Sequence, residues 1–454
     1  MSLERRAVLD LGEGGDQWHR DRCGLGMSRG AMVALVLFVV SFAFDFKGRS
    51  GGSIAQYAMA VVNSISFLWL AAVYRLRLPF SGWSGLLFWL WVVFLAAGSV
   101  AAFFSEIAPG HYIRTIYPFV LFAEGYLVAL WVGRDIKGAG VLVSTMLWVG
   151  IVSCVFTVWW GLHFTGMGFG DIRYQILSPL IPFVLVVGVF DLFISGRNRF
   201  WAFVLLVFVG ALIMVSVTRG MFLVVGVVGA GALSALMWSG SSGPVSLSRQ
   251  TVRSGIVALG VIAVMLVVAA VVAPDLWGRW LYRMFGAFQA TSLWMRVAAA
   301  VGQWHQLTAD LSSLLLGKGF GHTYHYASEY AATIGSYWRI GNMEASMWYP
   351  GEFMWITPLF YSGVLIGTAA SGMLLLGVMR AVRTMRDLLR SPEWRSMRVR
   401  SLWLGSLGYL GFIGASFTAN PFIFRQSALF MGLSLGLIYA IQSRPPSKIG
   451  GVVA

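Results

Sequence analysis

The sequence has little charge and almost no cysteine. Asp, Glu, Lys and Arg make up 11% of its 454 residues, whereas about a quarter of a soluble domain is charged. Apolar and aromatic residues account for 58%, and the mean hydropathy is +0.76. This composition excludes a soluble enzyme and a disordered chain. The two cysteines, Cys23 and Cys154, are too few for a disulfide framework, so a disulfide-stabilised scaffold is excluded as well.

A motif for nucleotide hydrolysis is also absent. The chain contains no Gly-x-x-x-x-Gly-Lys-Ser/Thr loop, so energy coupling by nucleotide hydrolysis is not indicated. Acidic residues are scarce, with 18 against 33 basic ones and a net charge of +15. In a chain this apolar, the basic excess predicts cytoplasmic loops beside anionic membrane lipids and no nucleic-acid partner.

Long apolar runs dominate the sequence. A membrane-spanning helix needs roughly 20 mainly apolar residues, and we find twelve candidate runs, of which Glu124 interrupts one and Arg199 another. The fold class that they predict is all-α, a polytopic integral membrane protein with about 12 transmembrane helices. No convincing cleavage site follows the first run, so we expect an uncleaved first span. The runs are 30–44, 50–74, 78–105, 115–133, 138–170, 174–190, 198–218, 220–248, 254–274, 353–379, 401–424 and 426–443.

The basic residues predict which side of the membrane each loop faces. If the spans alternate from a cytoplasmic N-terminus, 22 of the 33 basic residues fall in the inner segments and 11 outside. Because cytoplasmic loops carry the excess of Lys and Arg, we expect both termini in the cytoplasm. One misassigned short span near either end would move that terminus to the other side.

Three regions follow from this topology. Residues 1–274 form a nine-helix membrane bundle, 275–352 a large extracytoplasmic loop with short helices, and 353–454 a three-helix membrane part. The last region contains a basic cytoplasmic loop, 380–400, with seven arginines. We expect this loop to orient the chain in the membrane, and binding of lipid head groups is the alternative.

The large loop concentrates aromatic and titratable side chains. It holds six of the 20 tryptophans and three of the six histidines. Apolar residues at helical spacing predict a helix over 294–316, which the glycine-rich stretch Gly317–Gly321 ends. We expect the functional site here; the alternative is an aromatic belt that only anchors the loop at the membrane surface.

Five arginines are predicted at or near the outer membrane face, where a charge is costly and therefore marks a functional candidate. They are Arg114, Arg173, Arg219, Arg296 and Arg425. A guanidinium group matches phosphate oxygens with two parallel hydrogen bonds and stays charged at any working pH, so the set predicts a site for a lipid-linked diphosphate. Alternatively, each arginine pairs with a carboxylate such as Glu106, Glu124 or Asp171, or extends to the membrane surface.

The candidate acid–base groups lie in or beside the large loop. Glu352 precedes the tenth span, where partial burial would raise its pKa towards that of an effective general base, although it could instead stabilise a helix N-terminus. His322 and His325 would share a face if their stretch were helical. No carboxylate or thiol set completes a metal site around them, so we expect none. Glu344 is a further titratable group in the loop.

The overall pattern resembles the bacterial O-antigen ligase and O-antigen polymerase superfamily. Shared features are about twelve spans, Val217-Thr218-Arg219-Gly220 between two spans at the outer side, and one large loop before the last three spans. Within that loop, Arg296 is followed by a helix and the Gly317–Gly321 turn. A polar position, Glu352, then opens a span that contains Gly363-Val364-Leu365-Ile366-Gly367. The family commonly has a histidine just before this span, where the present chain has Tyr349-Pro350-Gly351-Glu352.

The resemblance implies a metal-independent glycosyltransferase of the bacterial inner membrane that needs no cofactor. The donor would be an undecaprenyl-diphosphate-linked oligosaccharide at the periplasmic face, and the acceptor another glycan or the lipid A core. By resemblance, the arginines would bind the diphosphate, and Glu352, His322 or His325 would supply the base. The competing class is a polysaccharide or lipid-linked-oligosaccharide transporter or flippase, for which mid-span polar candidates are few: Asn63, Glu124 and Asp191.

Overall fold

A computed structural model describes most of the chain. The described residues are 27–44, 54–80, 82–164, 176–195, 199–216, 220–239, 278, 289–330, 350–351, 353–389 and 396–442. Their regular elements are helices, with no β-strand among them, which confirms the all-α prediction. The helices are α1 (Arg29–Val40), α2 (Ile54–Val73), α3 (Gly82–Phe104), α4 (Pro109–Val132), α5 (Ile136–Phe164), α6 (Ile181–Val189), α7 (Arg199–Ser216), α8 (Gly220–Ser239), α9 (Gln289–Thr308), α10 (Leu311–Leu316), α11 (Thr357–Leu389), α12 (Met397–Ser416) and α13 (Arg425–Gln442).

Six of these helices are long and apolar enough to cross a membrane, namely α2, α3, α4, α5, α7 and α11. Every predicted span coincides with a helix except 254–274, which lies outside the described residues. Helices α1 and α6 are apolar but shorter, and a π-helical turn, Phe190–Ser195, extends α6. The chain is therefore a helical membrane protein, and the total of twelve spans remains a prediction.

Helices α4 and α13 pack in parallel through small residues. A Cβ atom on Gly125 would lie 2.6 Å from the Leu429 carbonyl oxygen, and Cβ atoms on Gly432 and Gly436 would meet the Phe122 and Tyr126 carbonyl oxygens. Such close backbone approach is how helices associate within a membrane, where apolar burial alone gives little drive.

The register of this pair fixes which residues lie side by side. The contacts of Gly432 with Phe122 and of Gly436 with Tyr126 have the same offset of 310 residues. That offset puts Arg425, the first residue of α13, level with Thr115 near the start of α4.

Helix α12 is the centre of the bundle, with nearly every residue buried. Glycines recur at every third position from 405 to 414, so successive glycines point to different sides of the helix. Each one lets a neighbouring helix approach closely on its side. Gly405 lies against α13, Gly408 and Gly411 against α6, and Gly414 against α8. Helix α12 thus packs directly against helices α6 and α8 of the N-terminal region.

The helix ends gather at two ends of the bundle. At one, which we call the Arg400 end, Gly133 lies against Ala440, Gly140 lies against Met397, and Arg400 binds Asp191. At the other, the loop end, the glycine turn 317–321 meets α3 and the start of α4, and the α12–α13 connection meets Gly220 and Gly351. The Arg400 end carries basic residues of the segments that the sequence predicts to be cytoplasmic. The positive-inside rule therefore predicts that this end of the bundle faces the cytoplasm.

Single-cysteine labelling tests this orientation. Ser312 and Ser328 are exposed in the large loop, whereas Asp135 is exposed at the Arg400 end. In a background without Cys23 and Cys154, we expect Ser312→Cys and Ser328→Cys to react with an impermeant maleimide from the periplasmic side. Asp135→Cys should react only after the inner membrane is permeabilised. The reverse pattern would contradict the topology.

Candidate functional site

The glycine-rich turn of the large loop inserts into the membrane bundle. Gly317, Gly319 and Gly321 all have positive φ angles, of 81°, 86° and 85°, which favour glycine. The backbone N–H groups of Lys318 and Gly319 donate to the carbonyl oxygens of Phe360 and Tyr361, at 2.8 and 3.1 Å. The turn is therefore bonded to α11 through its backbone.

Phe320 anchors the turn between α3 and α4. Its side chain is fully buried, and its ring lies 5.4 Å from those of Phe94 and Phe119 and 5.0 Å from that of Tyr361. Its N–H donates to the Gly98 carbonyl oxygen at 3.2 Å, and a Cβ atom on Gly98 would lie 2.5 Å from the Phe320 ring. The loop is thus held to the bundle by a large buried aromatic contact, beyond what an aromatic belt at the surface requires.

Helix α11 is broken next to this turn. Gly363 has φ 79° and ψ 169°, a non-helical conformation, and it lies against the backbone of Leu315 and Leu316. Beyond the break the chain folds back, so that Gly367 lies against Pro358 and Leu359. The predicted continuous span 353–379 is instead two helical pieces, and the glycines at 363 and 367 are the positions that permit the bend.

The predicted helix over 294–316 is likewise two helices. Asp310 caps α10, because its carboxylate accepts hydrogen bonds from the Ser313 N–H at 2.6 Å and the Ser313 hydroxyl at 2.7 Å. Hydrogen bonds from Ser312 and Ser313 hold the pKa of this exposed carboxyl well below its usual range. Asp310 therefore stays ionised and fixes the step from α9 into the glycine turn.

A buried polar cluster lies where the loop meets the start of α11. The Asn420 side-chain amide donates to the Gly351 carbonyl oxygen at 2.8 Å and to the Thr357 hydroxyl at 3.2 Å. Gln303 of α9 lies against Gly351, is fully buried, and has no hydrogen-bond partner for either amide atom among the described residues. An unsatisfied buried amide is costly, so this one is suited to bind a polar ligand.

Glu352 lies outside the described residues, but both of its neighbours are placed. Gly351 is buried against Gln303 and bonded to Asn420, and Phe353 leads directly into α11. The predicted role of Glu352 as a base stays a prediction.

The described arginines of the predicted set all belong to the loop end. Arg296 lies on α9 seven residues before Gln303, on the same helix face and about 10 Å away along the axis. Arg425 begins α13 level with Thr115, the neighbour of Arg114. The two that remain, Arg173 and Arg219, lie outside the described residues; Gly220, which follows Arg219, packs against Thr418.

The two histidines do not share a helix face. Residues 322–327 are not helical, so the condition under which the two histidines would share a helix face is not met. The His322 ring packs edge-on against Phe360 at 5.9 Å, and its Nδ1 donates to the Thr323 carbonyl oxygen at 2.7 Å. Burial lowers the pKa of His322, so the imidazole is neutral near pH 7 and can accept a proton. His325 is exposed. No group of three potential metal ligands occurs in the described part of the chain.

Gln303 and Asn420 are site residues that sequence reasoning missed. Asn420 was visible beside Pro421, ahead of Arg425, but a lone Asn-Pro dipeptide predicts only a turn. Gln303 had one signal, its spacing of seven residues from Arg296, which puts both on one face of the predicted helix. The contact with Gly351 depends on the tertiary fold and has no local signature.

Comparison of the chain with family models, with curated proteins and with solved structures gave no match. Function is therefore inferred from the residues themselves and from how the helices bring them together.

Proposed function

We propose that this chain is a metal-independent membrane glycosyltransferase of the O-antigen ligase or polymerase type. It moves a glycan from an undecaprenyl-diphosphate carrier to an acceptor sugar hydroxyl at the periplasmic face of the inner membrane. The acceptor is another glycan, as in polymerisation, or a lipid A core, as in ligation.

One observation supports the proposal most strongly. The large loop packs into the bundle through Phe320 and the glycine turn, and Gln303 of its helix α9 lies against Gly351 at the start of the last three spans. The polar cluster at Gly351 is fully buried and retains an unpartnered amide. A binding site built partly from a loop and partly from helix ends suits a donor whose carrier is in the membrane and whose sugar is outside it.

The chemistry requires charge stabilisation at the leaving group and one base. The acceptor hydroxyl oxygen attacks the anomeric carbon, the bond from that carbon to the diphosphate oxygen breaks, and the base takes the hydroxyl proton. The diphosphate leaves with the electron pair and remains on the lipid. Arginines at the loop end stabilise the charge that grows on it, and Glu352 or the neutral His322 accepts the proton.

Two substitutions test which residue is the base. We expect Glu352→Gln to fold and to bind the lipid-linked donor, but to reduce transfer by about 10²- to 10⁴-fold, the usual contribution of a general base. Donor binding and transfer by purified protein with a defined lipid-linked oligosaccharide are the measurements. Glu329→Gln is the matched control, because Glu329 is an exposed carboxylate of the same loop that lies 3.9 Å from exposed His305.

The outcomes of this test are distinct. If Glu352→Gln transfers normally while His322→Ala is inactive, the base is the histidine. Normal transfer by both variants contradicts the assignment of the base to this cluster. Failure of the wild-type protein to bind a lipid-linked diphosphate glycan contradicts the proposed function itself.

Buried polar atoms inside predicted spans favour a transporter as the second candidate. Glu124 lies within α4, and its Oε2 is buried without a hydrogen-bond partner among the described residues. Of the other two mid-span candidates, Asn63 donates hydrogen bonds to the Phe38 carbonyl oxygen and the Ser41 hydroxyl, while its Oδ1 is also buried without a partner among the described residues. Asp191 pairs with Arg400. Loss of carrier translocation in Glu124→Gln, with transfer intact, would favour the transporter.

A further inference from the structure

Two apolar crevices flank helix α5 at the Arg400 end. The first, about 580 Å³, lies between α5, α6 and α7, and Ile151 and Phe208 are typical of its lining. The second, about 680 Å³, lies between α1, α5 and the start of α12, beside Val36 and Met397. Both crevices include Ser144 and Trp148, so these two residues of α5 form a ridge between them.

The length of the crevices matches one membrane leaflet. Along α5, the first extends from Val143 to Val155 and the second from Ile136 to Val149. At 1.5 Å per residue these spans are about 18 and 20 Å. Half of the hydrocarbon core is about 15 Å thick, so each crevice can take one acyl chain of the leaflet at this end.

Charged groups gather at the mouth of the crevices. Arg400 of α12 binds the Asp191 carboxylate with two hydrogen bonds, at 2.7 and 3.3 Å, and both residues line the first crevice. Lys137 lines the second crevice and is exposed. Arg199 begins α7, three residues before the lining residue Ala202, and its buried Nε has no partner in the described ranges. Asp135, which caps the start of α5 beside Lys137, adds a second carboxylate. Two carboxylates against three cations leave this mouth positive.

We infer that these crevices bind an anionic diacyl phospholipid, with one acyl chain on each side of the Ser144–Trp148 ridge. The head-group phosphate lies between Arg199, Arg400 and Lys137. Two grooves that share one ridge fit a lipid with two chains better than a single-chain or polyprenyl lipid. The site is at the opposite end of the bundle from the polar cluster and does not depend on the proposed function.

Lipid binding to purified full-length protein tests the inference. Protein in neutral detergent would be titrated with phosphatidylglycerol, phosphatidylcholine and undecaprenyl phosphate, and bound lipid counted by native mass spectrometry. We expect one phosphatidylglycerol per chain, preferred over phosphatidylcholine. Arg199→Gln should lower that preference about fivefold, the effect of one cation near an anionic head group.

A crevice-filling variant separates chain binding from charge. Val204 lines the first crevice and is 40% exposed, so Val204→Trp should fill the groove and reduce phosphatidylglycerol binding at least tenfold. Val225→Trp is the matched control, at a residue of α8 that is 53% exposed. Equal binding by the two Trp variants would overturn the inference, as would equal affinity for the two phospholipids or a preference for undecaprenyl phosphate. If Val204→Trp does not fold, unchanged selectivity in Arg199→Gln overturns it alone.

Discussion

Replacing Arg296 with lysine is expected to reduce glycan transfer by roughly 10- to 1000-fold, the range for losing one donor that stabilises transition-state charge. Arg296→Ala should be at least as damaging. Lysine keeps the positive charge but loses the planar fork that binds two phosphate oxygens at once. Arg296 lies on the face of α9 that carries Gln303, about 10 Å from it along the helix axis, so the change falls on the side of α9 that faces the polar cluster.

The measurement is transfer from a defined lipid-linked donor by purified protein. Arg383→Lys is the control, because Arg383 is an exposed arginine of α11 in the segment predicted to be cytoplasmic. Arg219→Ala and Arg173→Ala extend the test to the predicted arginines outside the described residues. Stable expression and normal transfer in the alanine variants of Arg173, Arg219 and Arg296 would show that the arginines do not bind the diphosphate.

Gly319→Ala is expected to prevent correct assembly of the loop with the bundle. Gly319 has φ 86°, which costs an alanine about 1–2 kcal/mol. A Cβ atom there would also overlap the backbone of Ala101 and Ala102 in α3, and a backbone neighbour cannot move aside as a flexible side chain can. We expect overpacking to add about 1–3 kcal/mol. Thermal unfolding in detergent and the yield of monodisperse protein are the measurements.

Gly82→Ala is the matched control for the steric part of this effect. Gly82 also has a positive φ, of 67°, but nothing lies within 4 Å of a Cβ atom there. Its alanine variant carries the backbone strain alone. If Gly319→Ala is no less stable than Gly82→Ala, the turn is not inserted against α3 as described.

The helical architecture was predictable because each apolar run carries its own signal. A stretch such as 78–105 needs no knowledge of its neighbours to be recognised, and helix α3 lies within it. The common location of Arg114, Arg296 and Arg425 at the loop end also followed from alternation of the spans. These features depend on the local composition of each apolar run and on the number of spans that precede each loop.

The insertion of the loop was not predictable in the same way. The sequence showed that Gly317–Gly321 ends a helix, but its partners Gly98 and Gly363 lie far away in the chain and have no pattern that pairs them with it. The break at Gly363 was hidden because an apolar run looks the same whether it is straight or bent. Gln303 has no distinctive local sequence pattern, because its place in the site depends on its contact with Gly351.

The parallel contact between α4 and α13 has a consequence for biogenesis. The contacting residues of the two helices are about 310 positions apart in the chain. Helix α4 is therefore already in the membrane long before α13 leaves the ribosome. The α12–α13 connection, which supplies Asn420, arrives at the same late moment. Nascent protein therefore cannot bind its polar ligand until synthesis is nearly finished, and a chain lacking α13 should expose the Gly125 face of α4 to quality-control proteases.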